Sequence, residues 1–189
     1  LQGDWSSDVC SSDLSDGSVA GLFGAPSSYA MAAQRRMYEY GTTKEQLGHV
    51  AITHRYHASL NPNAVFRDPI TMEDYKASRW VAEPFNLLDC CPVSDGGAAY
   101  IVTTEERAKA LKKTPVYVRG IGQCHPSWEF FRRPDLAASG AATSGRLCFE
   151  SAGMTPADVD FCEIYDCFTI VPIITLEEYG FAPRGKGGE

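Results

Sequence analysis

The chain has 189 residues, with 17 Lys and Arg against 24 Asp and Glu, a formal net charge of −7. That balance speaks against general nucleic-acid binding. No apolar run approaches the roughly eighteen residues of a membrane span; the longest apolar-rich stretch, 168–176 (FTIVPIITL), is broken by Pro172.

The first segment, GDWSSDVCSSDL (3–14), has no period of 2 or 3.6 and offers no apolar face. Its Ser and Asp compete with regular structure through local hydrogen bonds. The codons GAC TGG AGT TCA GAC GTG TGC TCT TCC GAT spell DWSSDVCSSD, and they resemble the primer of a short-read sequencing adapter. Residues 1–14 are therefore expected to be a translated adapter, disordered and set aside from fold reasoning. The native chain then starts near Ser15 and reads as an internal fragment of 175 residues. Without Asp4, Asp8 and Asp13 its charge is −4.

Residues 27–40 carry apolar side chains at helical spacing, with Gly41 as a stop. Thr42 or Thr43 caps a second helix, since Thr42 with Glu45 and Thr43 with Gln46 both fit a capping box; Asn61-Pro62-Asn63 ends it. Thr71 opens a short third helix to about Ser78, and 79–88 is extended or irregular. Asp95-Gly96-Gly97 leads into an apolar strand (98–104). A helix follows over 105–113, capped by Thr103 or Thr104. A Val- and Ile-rich strand covers 115–124. A small-residue helix runs over 138–153, and 155–158 forms a short turn or helix start. Residues 159–168 (VDFCEIYDCF) read as a strand buried on both faces. The last helix, 169–179, stops at Gly180. Strands alternating with helices predict an α/β layer fold with a mixed or parallel sheet. The residues before it are mostly helix and loop, as in a subdomain or insertion.

Ligands in open α/β folds bind where strands end and helices begin. Tyr165-Asp166-Cys167-Phe168-Thr169 stands at such a junction, with a phenol, a carboxylate and a thiol in three residues. On spacing alone, Asp166 or Thr169 capping the next helix is the simpler reading. Asp95-Gly96-Gly97 allows close backbone approach to a ligand, or a plain tight turn. His54 and His57 lie three apart on a helix, but no third ligand stands at a matching spacing, so a solvated face is the better reading. Arg132 and Arg133 fit either a phosphate grip or a wet loop. Cys90, Cys91, Cys124, Cys148, Cys162 and Cys167 form no CxxC pair and read as reduced thiols of a cytoplasmic protein.

The stretches LLDCCPVSDGGAAYIVTTEERAKAL, PVYVRGIG, SGRLCFESAGMTPADVDFCEIYDCFTI, LEEYGF and GKGGE, in this order, resemble the thiolase superfamily. The likeness is strongest to its sterol-carrier-protein-x, or lipid-transfer-protein, type. The resemblance implies two similar βαβαβ halves with a helical loop domain in the first. By that frame 15–92 is the loop domain, 93–113 the end of the first half and 114–189 the start of the second. It implies acyl-CoA chemistry at the carbon next to the thioester, with coenzyme A as part of the substrate and no further cofactor. Its nucleophilic Cys and its GHP-type His match nothing between Ser15 and Glu189. Where the better-known thiolases read Asn-Glu-Ala-Phe and sterol-carrier types His-Asp-Cys-Phe, this chain reads Tyr165-Asp166-Cys167-Phe168. The family's Asn or His donates a hydrogen bond to the thioester oxygen, so Tyr165 becomes the catalytic candidate. Cys91, at the position of a Ser along the pantetheine arm, and Phe168 become the substrate-side candidates.

The Tyr resembles a branch that works as aldolases on steroid side-chain acyl-CoAs, often with a small partner carrying an OB-fold and a zinc ribbon. Three readings stay open. They are a thiolase transferring an acyl group to CoA, a retro-aldol lyase with Tyr165 as acid or base, and a non-catalytic acyl-CoA or lipid carrier. As a base, Tyr165 needs a neighbour that lowers its pKa, because a free phenol costs about 4 kcal/mol to ionise at neutral pH; Asp166 is then expected to point away. A homodimer is expected of the whole protein. The isolated 15–189 segment is expected to be inactive and poorly folded, with apolar sheet surface exposed. A monomeric 15–189 protein with one cooperative thermal transition would contradict that.

Overall fold

The computed structural model describes residues 21–22, 24–127 and 132–189; the adapter-like segment 1–14 lies outside the described residues. Helix α1 spans Gly24–Tyr40 and buries Ala30, Ala32, Ala33 and Arg36. Helix α2 spans Lys44–Leu60. Of its two candidate capping boxes the chain uses Thr43 with Gln46, whose backbone and side chain exchange bonds with the cap in both directions. Helix α3, Met72–Ala77, is capped in the same way by Thr71 and Asp74. It lies so close to α2 that a Cβ on Gly48 would stand 2.7 Å from Met72 Sδ and 2.8 Å from the Tyr75 ring.

An antiparallel ribbon follows, β1 (Trp80–Ala82) on β2 (Phe85–Asn86), with a cis Glu83–Pro84 bond at its turn. A 3₁₀ turn covers Leu87–Asp89. Helix α4, Glu105–Lys109, is shorter than its sequence pattern. Helix α5, Ala141–Ala152, ends at Gly153 in the left-handed conformation, as a glycine stop requires. The last helix, α6 (Ile170–Glu178), is buried at Ile170, Pro172, Ile173, Ile174, Thr175 and Glu177. Pro172 is tolerated because the first turn has no intrahelical N–H bond to lose.

The core joins α1, α2, α3 and α6 through Ala33, Leu47, Ala51, Tyr75, Phe85, Phe168, Ile170 and Ile173. Phe168 is its aromatic centre, with ring centroids 4.6 Å from Tyr29 and 5.2 Å from Phe85.

The three expected strands are the main departure. Residues 98–104, 115–124 and 159–167 carry no ladder pairing among the described residues. Many of their apolar side chains are exposed, at 88% for Ile101, 95% for Val116 and 80% for Phe161. A strand exists by pairing, and an alternating or apolar sequence supplies only one side of the ladder. Residues 120–122 instead lie on α5. A Cβ on Gly122 would meet the Ser144 carbonyl oxygen at 1.9 Å, and the Ile121 N–H donates to Ser151 Oγ at 3.1 Å.

Two ion pairs tie the elements together, one between a half-buried Lys44 and the buried Asp89, the other, Arg36 with Glu177, buried on both sides. Asp89, 2% exposed, accepts from Lys44 Nζ at 2.7 Å, the Asn86 N–H at 2.7 Å, Tyr75 Oη at 2.7 Å and Thr169 Oγ1 at 2.6 Å. Arg36 pairs with Glu177, which also accepts the N–H groups of Gly185 (2.7 Å) and Gly187 (2.6 Å). Removing one partner of such a buried pair leaves an uncompensated charge, at a cost of about 3–5 kcal/mol. In the full-length protein, Asp89→Ala is therefore expected to shift the chemical-denaturation midpoint by about that much. A shift below about 1 kcal/mol would show that Asp89 does not hold the elements together.

Candidate functional site

The site forms where two loops meet. The Asp89–Cys91 segment runs antiparallel to Cys167–Thr169. Cys90 and Phe168 form a bridge, the Cys91 N–H donates to the Cys167 carbonyl at 3.1 Å, and the Thr169 N–H donates to the Asp89 carbonyl at 3.0 Å. Asp89 closes the junction from below through Thr169 Oγ1. Thr169 therefore does not cap α6 with its side chain, contrary to the simpler sequence reading.

This pairing brings Tyr165 and Cys91 together and leaves Phe168 apart from them. Tyr165 is 77% exposed and its hydroxyl interacts with the Cys91 thiol. Cys91 is exposed and lines a groove of about 350 Å³, together with His54, Val65, Phe66 and Asp166 among others. Phe168 is 4% exposed, stacked in the core beneath the site rather than on the groove. Asp95, Gly96 and Gly97 stand in an exposed loop. Arg132 is exposed and Arg133 half-buried, facing a small cavity beside Tyr29. Among the described residues no group of three His, Cys, Asp or Glu side chains could hold a metal.

The electrostatics of Tyr165 run against a base role. Cys91 raises its pKa most, followed by Cys167, burial, the hydroxyl–thiol contact with Cys91 and the charge of Asp166. Each of these neighbours raises it, where a base needs one that lowers it. A phenol whose pKa is raised holds its proton at neutral pH and donates. Below it, Cys167 is pushed up chiefly by burial, and Tyr29 is raised to about 12 by burial and its hydrogen bond to Cys167. Cys90 is raised to about 11, again mainly by burial. These thiols are protonated and poorly nucleophilic at neutral pH.

Asp166 does point away from Tyr165, but not to cap α6. It pairs with His54 Nδ1 on α2. His54 was read as part of a solvated face; it is half-exposed and bound across 112 positions of sequence, which no local spacing reveals. His57 remains exposed, edge-on to the Tyr56 ring. Sequence reasoning also passed over Asp89. The available signal was a single carboxylate inside the apolar run Phe85–Cys91, where burial demands partners.

Residues 122–189 match the thiolase C-terminal domain-like family. The chain is 43% identical over 164 residues to an acetyl-CoA acetyltransferase of Methanothermobacter thermautotrophicus, covering 86% of this chain and 43% of the relative. It is 40% identical to a steroid side-chain-cleaving aldolase of Thermomonospora curvata, covering 83% of this chain and 42% of that one. Among solved structures, an Ltp2-ChsH2(DUF35) aldolase superposes with a TM-score of 0.84 at 38% identity, over 89% of this chain and 46% of the other. The chain thus spans less than half the length of these relatives.

His54 is raised above its ordinary value, first by its hydrogen bond to Asp166, with burial opposing and the carboxylate's charge adding. A raised imidazole contributes stability fully below its unfolded pKa, about 6.5, and loses it as pH rises through the folded value. The stability difference between the full-length protein and its His54→Gln variant should therefore be largest in mild acid and fade in alkali. Denaturant titrations at a series of pH values measure it, and a difference that grows with pH would contradict the pairing. With its fold, its motif order and its relatives in agreement, the chain belongs to the thiolase superfamily.

Proposed function

We propose that these residues form the central part of a thiolase-like enzyme that makes or breaks a carbon–carbon bond next to the thioester of an acyl-CoA. In it Tyr165 is the proton donor on the thioester side. The observation that carries this is Tyr165 itself. It takes the position of the family's oxygen-binding Asn or His, stands exposed between two residues of the groove wall, Cys91 beside it and Asp166 after it, and its pKa is raised rather than lowered by its neighbours. The exposed apolar stretches 98–102 and 115–121 support the larger frame: their side chains need cover that a longer protein's sheet would provide.

Retro-aldol cleavage of a β-hydroxyacyl-CoA is the reaction this residue favours over thiolysis. A base takes the β-hydroxyl proton, the Cα–Cβ bond breaks, and the bonding pair moves into the thioester enolate as a carbonyl product leaves. Tyr165 hydrogen-bonds the enolate oxygen as the charge develops, then gives its proton to Cα, and the phenolate is restored by the proton that the base took from the β-hydroxyl, passed through solvent. Proton donation of this kind contributes about 10²–10⁴-fold. The base is a group other than Tyr165, which is poised to give a proton rather than take one. Cys91 lines the path of the pantetheine arm at the same mouth. A second copy of the chain and a small partner protein complete the assembly, a reading supported by the paired name of the Ltp2-ChsH2(DUF35) aldolase. Acyl transfer to CoA is the competing activity, favoured by the likeness to the acetyl-CoA acetyltransferase.

The two are separated by assay of the full-length protein. Cleavage of a β-hydroxyacyl-CoA without added CoA supports the lyase reading; cleavage of a β-ketoacyl-CoA only when CoA is added supports the transferase. In either case Tyr165→Phe is expected to lower kcat by about 10²-fold or more, and a variant within threefold of wild type would remove Tyr165 from the chemistry.

A further inference from the structure

Tyr165 is the least anchored residue of its own site. With 77% of its surface exposed, packing does not set where its hydroxyl points. Its placement falls to the two residues that follow it. Cys167 is buried and held through its carbonyl by the Cys91 N–H and through its thiol by Tyr29. Asp166 turns to the opposite side, toward α2, and binds His54. Its carboxylate is mostly buried, and the second oxygen, Oδ1, is buried with no hydrogen-bond partner. A carboxylate that has lost that much water and satisfies only one oxygen depends on its one partner for both charge balance and direction.

We propose that His54 is a positioning residue that fixes Tyr165 through Asp166. The inference rests on Tyr165 being the proton donor. With Nδ1 on Asp166, the imidazolium balances the carboxylate beside the phenol. It also ties the catalytic loop to the middle of α2, the helix that walls the groove. Without it, Asp166 is an unpaired anion one residue from Tyr165. Its charge then raises the phenol further, and the loop loses its direct tie to the middle of α2, keeping only the hold through Thr169 and Asp89 below.

The other charged and titratable groups around the pair are few. From α2 comes Arg55, which donates to the Asp68 carbonyl at 3.2 Å and lies over the Phe66 ring. From the 3₁₀ turn and the loop after it come Asp89, already held by four donors, and the thiols Cys90 and Cys91. The remaining wall, Ala64, Val65 and Phe66, has nothing that titrates. His54 is thus the group at this wall whose charge changes near neutrality.

The test compares His54→Ala, His54→Gln, Tyr165→Phe and the double variant His54→Ala/Tyr165→Phe in the full-length protein. Steady-state kinetics on the acyl-CoA substrate that the wild type cleaves are read between about pH 5.5 and 9. Misplacement by about an ångström can cost 10²-fold, so His54→Ala should lower kcat by about 10- to 100-fold with KM within about threefold. Gln still donates to Asp166 but does not titrate. His54→Gln should therefore recover most of kcat and lose the alkaline decline that the wild type shows as the imidazolium discharges. In the Tyr165→Phe background, His54→Ala should cost less than about twofold more, because the group it positions is gone. Wild-type kcat in His54→Ala, or a full independent loss in the double variant, overturns the proposal while Tyr165→Phe stays impaired. Wild-type kcat in Tyr165→Phe removes the reading of Tyr165 and this inference with it. His54 is nearly half-exposed, and His54→Gln keeps the bond, so a folded variant remains to decide.

Discussion

Everything at the site is referred to one buried carboxylate. Asp89 gathers Lys44 from the start of α2, Tyr75 from α3, the Asn86 backbone from the ribbon and Thr169 from the start of α6. Each of these groups is distant in sequence from at least one other, so no element can move without breaking a bond to the same two oxygens. A carboxylate with four donors is well satisfied, and a nearby Lys offsets its charge. Because Thr169 follows Phe168 directly, the hub also sets the height of the catalytic loop. Because Cys90 and Cys91 follow Asp89, it sets the other lip of the groove. The hub and the site are therefore parts of one construction, and the antiparallel pairing of 89–91 with 167–169 is its visible seam.

The second buried pair works at the opposite end of α6. Arg36 and Glu177 fasten α1 to that helix, and Glu177 holds Gly185 and Gly187 of the closing segment. Arg36 also lies over the Tyr40 ring at 5.1 Å. A helix held at its start by the Thr169–Asp89 hydrogen bond and near its end by an ion pair, and buried along most of its length, is a rigid base for the loop that precedes it. That rigidity matters because Tyr165 has so little packing of its own.

Local signals were legible in the sequence and long-range ones were not. Capping by Thr43 with Gln46 and by Thr71 with Asp74, the stop at Gly153 and the end of α2 at Asn61 could all be read from residues within a few positions. The loop carrying Tyr165 was found by its position before a helix and by its motif. Residues 98–104, 115–124 and 159–168 are apolar-rich and predict strands, yet they form no ladder among the described residues, because pairing is a property of neighbours that a single segment does not contain. The same holds for His54 with Asp166 and for Asp89 with Thr169. Each is an ordinary polar residue in its own surroundings, and only the fold makes it a partner. Asp89 alone left a trace, as a charge inside an apolar run.

The polarity of Tyr165 follows from this construction rather than from the residue type. A phenol can give or take a proton, and the sequence leaves both open. The fold places it over two thiols and one residue from an anion, which all stabilise the protonated form. In the proposed carbon–carbon cleavage beside a thioester, charge would develop on the thioester oxygen, and a proton held by Tyr165 would stabilise it there. Turning Tyr165 into a base would require a cation or a helix N-terminus at its hydroxyl, whereas His54, on the same groove wall as Cys91, is spent on Asp166. The division of labour is thus electrostatic. His54 offsets the carboxylate next to the phenol, the phenol holds its own proton at neutral pH, and in the proposed reaction another group removes the substrate's proton.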